Sequence, residues 1–268
     1  MKFQLKKSLK GQKGFTLVEL SVVVLVAGLM LTAVMKGQSM LETARAQKFS
    51  NEIKNVEALI GTYETATGRL PGDCNGDGLI GTNLGILSGS LVPNASLLYT
   101  TTATDQTTRA ELYSFDDAAP VANATTASKT SSCAPSGSTD VVAASEANVN
   151  VWVNDLRNRN IIGVNTVPRL FAKHIGEDMM YVGTWRDSLT GEDFNAMTFA
   201  NVPADMAQRV MQSINGSTAK TDFGPIRVFA ATAGVPSGAY VSDAFAGTTK
   251  GSTVNLVYFF RNQPRSAS

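Results

Sequence analysis

The sequence predicts an α+β protein in which one long amino-terminal helix precedes a head built on an antiparallel sheet. An apolar run from Phe15 to Met35 continues, without a proline, into an amphipathic pattern that lasts to Thr67. Beyond Gly68, short runs rich in β-branched and aromatic residues alternate with turn residues, as strands do. A chain of 268 residues, 43% of them hydrophobic, has enough material for one compact domain beyond the helix.

The apolar run is long enough to cross a membrane once. About 21 residues rising about 1.5 Å each span roughly 31 Å, the thickness of a bilayer core. Residues 1–14 carry five lysines and no acid, so this end should stay in the cytoplasm and everything after Met35 should be exported. Glu19 lies within the apolar run, where a charge costs on the order of 3 kcal/mol, which indicates a partner or a function.

The border between the basic segment and the apolar run reads Gly-Phe-Thr-Leu-Val-Glu, from Gly14 to Glu19. On these residues the chain resembles the superfamily of type IV pilins and type II secretion pseudopilins. The resemblance implies that residues 1–14 are a leader, which a membrane prepilin peptidase removes between Gly14 and Phe15, and that the new Phe15 terminus is N-methylated. It also implies a helical filament in which Glu19 pairs with the terminal amine of a neighbouring subunit.

Two plainer interpretations compete with this one. The run could be an apolar anchor with an accidental glutamate near its cytoplasmic end. A conventional secretory signal fits less well, because the apolar part is too long and no Ala-x-Ala-like site follows it.

The second half of the predicted helix, which runs over residues 15–67 as a whole, is amphipathic. One face carries large apolar residues at spacings of three and four, namely Phe49, Ile53, Val56, Ile60 and Tyr63. The opposite face is charged, so we expect this stripe to pack on the head, residues 68–268. Gly68 supplies the helix stop and Pro71 follows it.

Cys74 and Cys133 are the two cysteines of the chain, and both lie on the exported side. An even number of cysteines in an oxidising compartment predicts a disulfide between them, although two unrelated thiols remain the alternative. Such a bridge would close a loop of about 60 residues.

A possible calcium loop follows the helix. Asp73, Asn75 and Asp77, followed by glycine, match the opening of a calcium-binding loop with alternate oxygen donors. Leu84 stands where that pattern requires the closing glutamate. The alternative is a Gly-Asp-Asn turn that closes the helix against the sheet.

The remaining head is predicted from periodicity and turn residues. A Ser/Thr-rich stretch over about 89–145 buries little apolar surface and reads as a surface insertion. The predicted elements are a helix over 145–158 ended by Gly163; strands over 167–172, 179–185 and 195–199; a helix from Pro203 to Gly216; and strands over 225–230 and 254–261.

The sequence offers no constellation for catalysis. It has no standard phosphate loop or nucleophile elbow, and the single histidine, His174, has no ligand-spaced companion and reads as an ordinary surface or half-buried residue. The acid pairs at 116–117 and 192–193 read as solvated turns. The net charge is +1 for the precursor and becomes about −4 when the five leader lysines are removed. This charge does not indicate a basic surface for binding nucleic acid.

The resemblance therefore implies a structural subunit rather than an enzyme. The expected protein is a type IV pilin or minor pilin for adhesion, motility or DNA uptake, with prepilin peptidase, other pilin subunits and an inner-membrane assembly platform as partners. It would span the inner membrane once with a periplasmic head before it enters a surface pilus. The alternatives are a type II secretion pseudopilin in a periplasmic pseudopilus, and a monomeric membrane-anchored periplasmic binding module.

Overall fold

The computed structural model describes residues 16–74, 76–81, 84, 115, 117, 133, 149–176, 178–187, 191–218, 220–230, 239–247 and 251–262. The chain divides into two units, Met1–Glu42 and Thr43–Ser268. The surface insertion predicted over about 89–145 lies outside the described residues except for Phe115, Asp117 and Cys133.

The long helix α1 spans Leu17–Thr67. It ends where the sequence predicts, because Gly68 adopts a left-handed conformation with φ of 77° and its amide donates to the carbonyl of Glu64 at 2.7 Å. The segment within the first unit exposes its apolar side chains. The segment within the second unit buries the predicted stripe, since none of its five residues exposes more than 5% of its surface.

The head contains an antiparallel sheet, which confirms the predicted α+β class. Its strands are β1 (Met180–Arg186), β2 (Asp193–Pro203), β3 (Ile226–Ala230), β4 (Ala239–Tyr240) and β5 (Thr253–Phe259). Among the described residues they form one sheet in the order β1-β2-β5-β3-β4, and each neighbouring pair is antiparallel. The short β4 was not predicted.

The stripe of α1 packs on this sheet. The ring of Phe49 meets Phe199 of β2 edge to face at 4.9 Å, and the Tyr258 hydroxyl of β5 donates to Glu57 at 3.0 Å. Residues from α1, the sheet and the short helices form one apolar cluster. The predicted packing of the stripe is therefore confirmed.

Three short helices complete the described head. They are α2 (Val151–Asn158), α3 (Pro168–Phe171) and α4 (Ala204–Asn215). The helix α4 turns one apolar face inward, with Val210 and Met211 fully buried, and Gly216 ends it in a left-handed conformation as predicted.

The strand predicted over 167–172 is wrong, because these residues form the single turn of α3. Pro168 occupies the first helical position, where its missing N–H costs nothing and its fixed φ suits the helix. The short apolar run after it, Leu170 to Ala172, is compatible with a strand or a helix, but a proline at this place favours a helix start.

The boundaries of two other predicted helices shift. The described part of the second helix starts at Val151, after a turn at 149–150, and ends at Asn158 rather than at Gly163. Asn160, with φ of 55°, turns the chain before Gly163 is reached. Pro203 is the last residue of β2 and the N-cap of α4 rather than a residue of its first turn.

Candidate functional site

The amino end of α1 is capped by its own side chains. A carboxylate oxygen of Glu19 accepts from the backbone N–H of Thr16 at 2.9 Å and from its hydroxyl at 3.0 Å. In return, the Glu19 amide donates to the Thr16 hydroxyl oxygen at 3.3 Å. This arrangement is a capping box. The spacing Thr-x-x-Glu indicates it in the sequence, but it was not among the predictions. Gly14 and Phe15 lie outside the described residues.

Beyond this cap, α1 exposes a continuous apolar surface. Large apolar side chains from Leu17 to Leu41 are exposed, among them Leu17 at 87% and Met40 at 73%. Within the described chain, α1 is long and apolar enough to cross a membrane, judged by length and composition. A surface of this kind requires lipid or apolar protein around it.

A disulfide closes the turn after α1. Cys74 and Cys133 are bonded, with their Cα atoms 4.9 Å apart. The cross-link joins the segment after the helix to a residue 59 positions further along the chain. No free cysteine is present.

The carboxylate of Asp155, on α2, lies beside this cross-link. It is only 2% exposed, and its two oxygens accept from the backbone amides of Gly72 and Cys133, each at 2.8 Å. Burial raises the pKa of the Asp155 carboxyl from 3.8 to about 6, while the two amides, Arg69 and the Tyr63 hydroxyl act in the opposite direction. The burial of Asp155 was not predicted, because the residues next to it in the sequence do not indicate that it is buried.

The candidate calcium residues form a tight turn. Asp73 is 1% exposed, and its two oxygens accept from the amides of Gly76 at 2.7 Å and Gly78 at 3.0 Å. An oxygen of Asp77 accepts from the Leu79 amide at 2.8 Å. Asn75 lies outside the described residues. Among the residues that are described, no group of three or more His, Cys, Asp or Glu side chains could hold a metal ion.

The amide side chain of Asn195, on β2, fastens this turn to the sheet. Its oxygen accepts from the Ile80 amide at 2.9 Å, and its nitrogen donates to the Gly78 carbonyl at 2.7 Å. The turn predicted to close the helix against the sheet is therefore held by a side chain more than a hundred residues away, with no local sequence signal.

His174 is buried rather than at the surface, which corrects our expectation. It is 5% exposed and packs against Phe49 and Phe199 at 5.5 and 6.1 Å between ring centres. Its Nδ1 accepts from the Gly176 amide at 3.0 Å, so Nε2 carries the proton that it donates to the Ala200 carbonyl at 2.9 Å. Burial lowers the pKa of this imidazole below 6.5.

A second buried polar group lies among β1, β3, β4 and β5. The Tyr240 hydroxyl donates to Asp187 at 2.7 Å and accepts from the Trp185 indole at 3.1 Å. The guanidinium of Arg227 stacks on the rings of Tyr240 and Phe259, 4.8 and 5.4 Å from their centres. The contacts join side chains of four strands, among them both edge strands β1 and β4, which stabilises the sheet.

A polar groove of about 490 Å³ lies between the head portion of α1 and α4. Its lining includes the cations Lys54 and Arg209 and no carboxylate. The Arg209 guanidinium donates to the Thr43 hydroxyl at 3.0 Å across the groove.

Comparison with known proteins identifies the amino terminus. Residues 9–35 match the family described as the prokaryotic N-terminal methylation motif, which is the prepilin-type motif of type IV pilins and pseudopilins. This confirms the resemblance. No curated protein and no solved structure matches the chain.

Proposed function

We propose that the protein is a structural subunit of a type IV pilus, a pilin or minor pilin, that is processed by prepilin peptidase and polymerised through α1. The observation that carries the proposal is the coincidence of the methylation motif at residues 9–35 with the exposed apolar surface of α1. Before assembly, a single membrane-spanning helix anchors such a subunit in the inner membrane. In the filament, lateral packing of apolar helices covers the same surface.

The position of Glu19 supports a role in assembly. Its carboxylate already lies at the amino end of α1, next to the place where cleavage after Gly14 would free the amine of Phe15. An unpaired carboxylate is costly in an apolar environment, so pairing with the amine of a neighbouring subunit would favour docking in one axial register.

The experiment is to shear surface filaments from cells that express the full-length protein and to determine the mature amino terminus by mass spectrometry. We expect filaments whose subunit begins at N-methylated Phe15. Gly14→Val should leave the precursor uncut, whereas Gly11→Val, a matched change within the leader, should be processed normally. A protein found only in the periplasm, or one that keeps residues 1–14, would contradict the proposal.

A further inference from the structure

One carboxylate contacts both chain segments that the disulfide joins. Oδ2 of Asp155 accepts from the amide of Gly72, two residues before Cys74, and Oδ1 accepts from the amide of Cys133 itself. The two hydrogen bonds are equally short, at 2.8 Å. The Asp155 carboxylate therefore holds the two segments at a fixed separation through hydrogen bonds that do not involve the sulfur atoms.

The setting of this carboxylate is rigid on the Gly72 side. The Gly72 carbonyl accepts from the Gly81 amide at 2.9 Å, and a Cβ atom at Gly72 would come within 2.9 Å of Ile80 and 3.6 Å of Trp152. Trp152 precedes Asp155 by three residues on the same helix and is fully buried. The helix α2 is therefore packed directly on the backbone at Gly72, two residues before Cys74.

On the other side, the hydrogen bond acts at the cysteine itself. Cys133 follows Cys74 by 59 residues, and closing a loop of this length opposes the meeting of the two thiols with an entropic cost that only specific contacts offset. The hydrogen bond from the Cys133 amide to Asp155 acts at the very residue that must be placed.

We propose that Asp155 is the positioning residue for the disulfide: it holds the backbone of Gly72 and Cys133 in place in the reduced protein, before the sulfur atoms are joined. With oxidised glutathione as oxidant, one cysteine thiolate attacks the glutathione disulfide and releases one glutathione thiolate. The second cysteine thiolate then attacks the mixed disulfide and releases the other. Two electrons pass to glutathione, and the two cysteine protons pass to solvent or to the released thiolates.

The test measures the effective concentration of the two thiols. The full-length protein, purified in detergent and reduced, is equilibrated with defined mixtures of reduced and oxidised glutathione at neutral pH, and the bridged fraction is read by mass spectrometry after alkylation. Asp155→Asn replaces one acceptor with a donor that faces an amide, so the effective concentration should fall about 10-fold or more.

The matched control is Asp187→Asn, the same change at another buried carboxylate, which accepts from the Tyr240 hydroxyl. It should destabilise the head yet leave the effective concentration within about 2-fold of wild type. An unchanged value for Asp155→Asn would overturn the proposal. So would an equal fall in both variants, because that result would reflect general loss of stability.

A second measurement leaves Asp155 intact, in case its variant does not fold. In the double variant Cys74→Ser/Cys133→Ser, hydrogen exchange should show that the amides at positions 72 and 133 remain protected, since Asp155 still accepts from both. Exchange of both amides at the rate of an unstructured chain would mean that the disulfide holds Asp155 in place, and the proposal would be wrong.

Discussion

Asp155 makes the stability of the head depend on pH with a defined sign. Its pKa is about 6 in the folded protein because the carboxyl is buried, and 3.8 is its ordinary value. Between about pH 4 and 6 the folded protein therefore retains a proton that the unfolded chain has released. The free energy of unfolding should fall as the pH rises through this window, by about 3 kcal/mol in total from this group.

The measurement is denaturant unfolding of wild type and Asp155→Asn at steps across this window, and the quantity of interest is the difference between them. His174 acts with the opposite sign, since its lowered pKa removes stability as the pH falls below 6.5. It is present in both proteins and cancels in the difference. A difference that is constant between about pH 4 and 6 would contradict the prediction.

Glu19 combines a local cap with the proposed charge pairing, and two substitutions separate them. Glu19→Gln keeps an oxygen that can accept from Thr16 but removes the charge, whereas Glu19→Val removes both. If the charge pairs with a neighbouring amine, both variants should be inserted and processed, yet yield about tenfold fewer sheared filaments. Wild-type filament yield from Glu19→Gln would show that the cap alone suffices.

Asp73 already uses both carboxylate oxygens to accept amides of the turn, so we propose that it organises the turn without calcium. Asp73→Ala should lower the free energy of unfolding by about 1–3 kcal/mol, because two amides of the turn lose their acceptor. Added calcium and added chelator should leave the melting temperature of the wild type unchanged. A rise with millimolar calcium that Asp73→Ala abolishes would instead favour the calcium loop.

At the scale of elements, α1 combines two different surfaces in one helix. Up to Leu41 its large apolar residues are exposed, whereas from Ala46 to Tyr63 its apolar stripe is buried in the head. The first surface suits a bilayer or a filament core, and the second suits a folded domain. The division of the chain at Glu42 and Thr43 falls where one pattern replaces the other.

Ile53 tests the buried stripe. It is 1% exposed, so Ile53→Ala should cost about 2–5 kcal/mol of unfolding free energy through lost burial and the cavity that remains. Asn55→Ala, two residues away on the exposed side of the helix, should change it by at most about 0.5 kcal/mol. Denaturation of the full-length protein in detergent can be followed through Trp152 and Trp185, which are both fully buried. Equal stability of the two variants would contradict the packing of the stripe.

Across the whole molecule, the disulfide links the segment after α1 to a part of the head that is distant from it in the sequence. In the chain-entropy description, a loop of 59 residues corresponds to about 4 kcal/mol of stability, because the cross-link restricts the unfolded chain. Cys74→Ser/Cys133→Ser should therefore unfold at a lower denaturant concentration, as should the reduced wild type. If reduction leaves the unfolding midpoint unchanged, the bridge does not stabilise the head.

The elements that could be predicted from the sequence are those whose signals are local. Periodic apolar residues predicted α1 and its buried stripe, glycines marked the ends of α1 and α4, and alternating residues predicted β1, β2, β3 and β5. The Gly14-to-Glu19 motif predicted the methylation family that the comparison confirmed. These signals are readable because helix periodicity, chain reversal at glycine and a processing motif each depend on residues within a few positions of one another.

The burial of polar groups and the contacts that they make depend on how distant segments pack, and could not be predicted from the sequence. Asp155 and Gly72 are 83 residues apart in the chain, and Asn195 and Ile80 are 115 apart, so no local pattern announces either contact. The strand order β1-β2-β5-β3-β4 and the core position of His174 likewise arise from the packing of distant segments. Burial, which turns an ordinary aspartate into a carboxyl with a pKa of about 6, is a property of the neighbours that folding assembles, not of the residue or its sequence context.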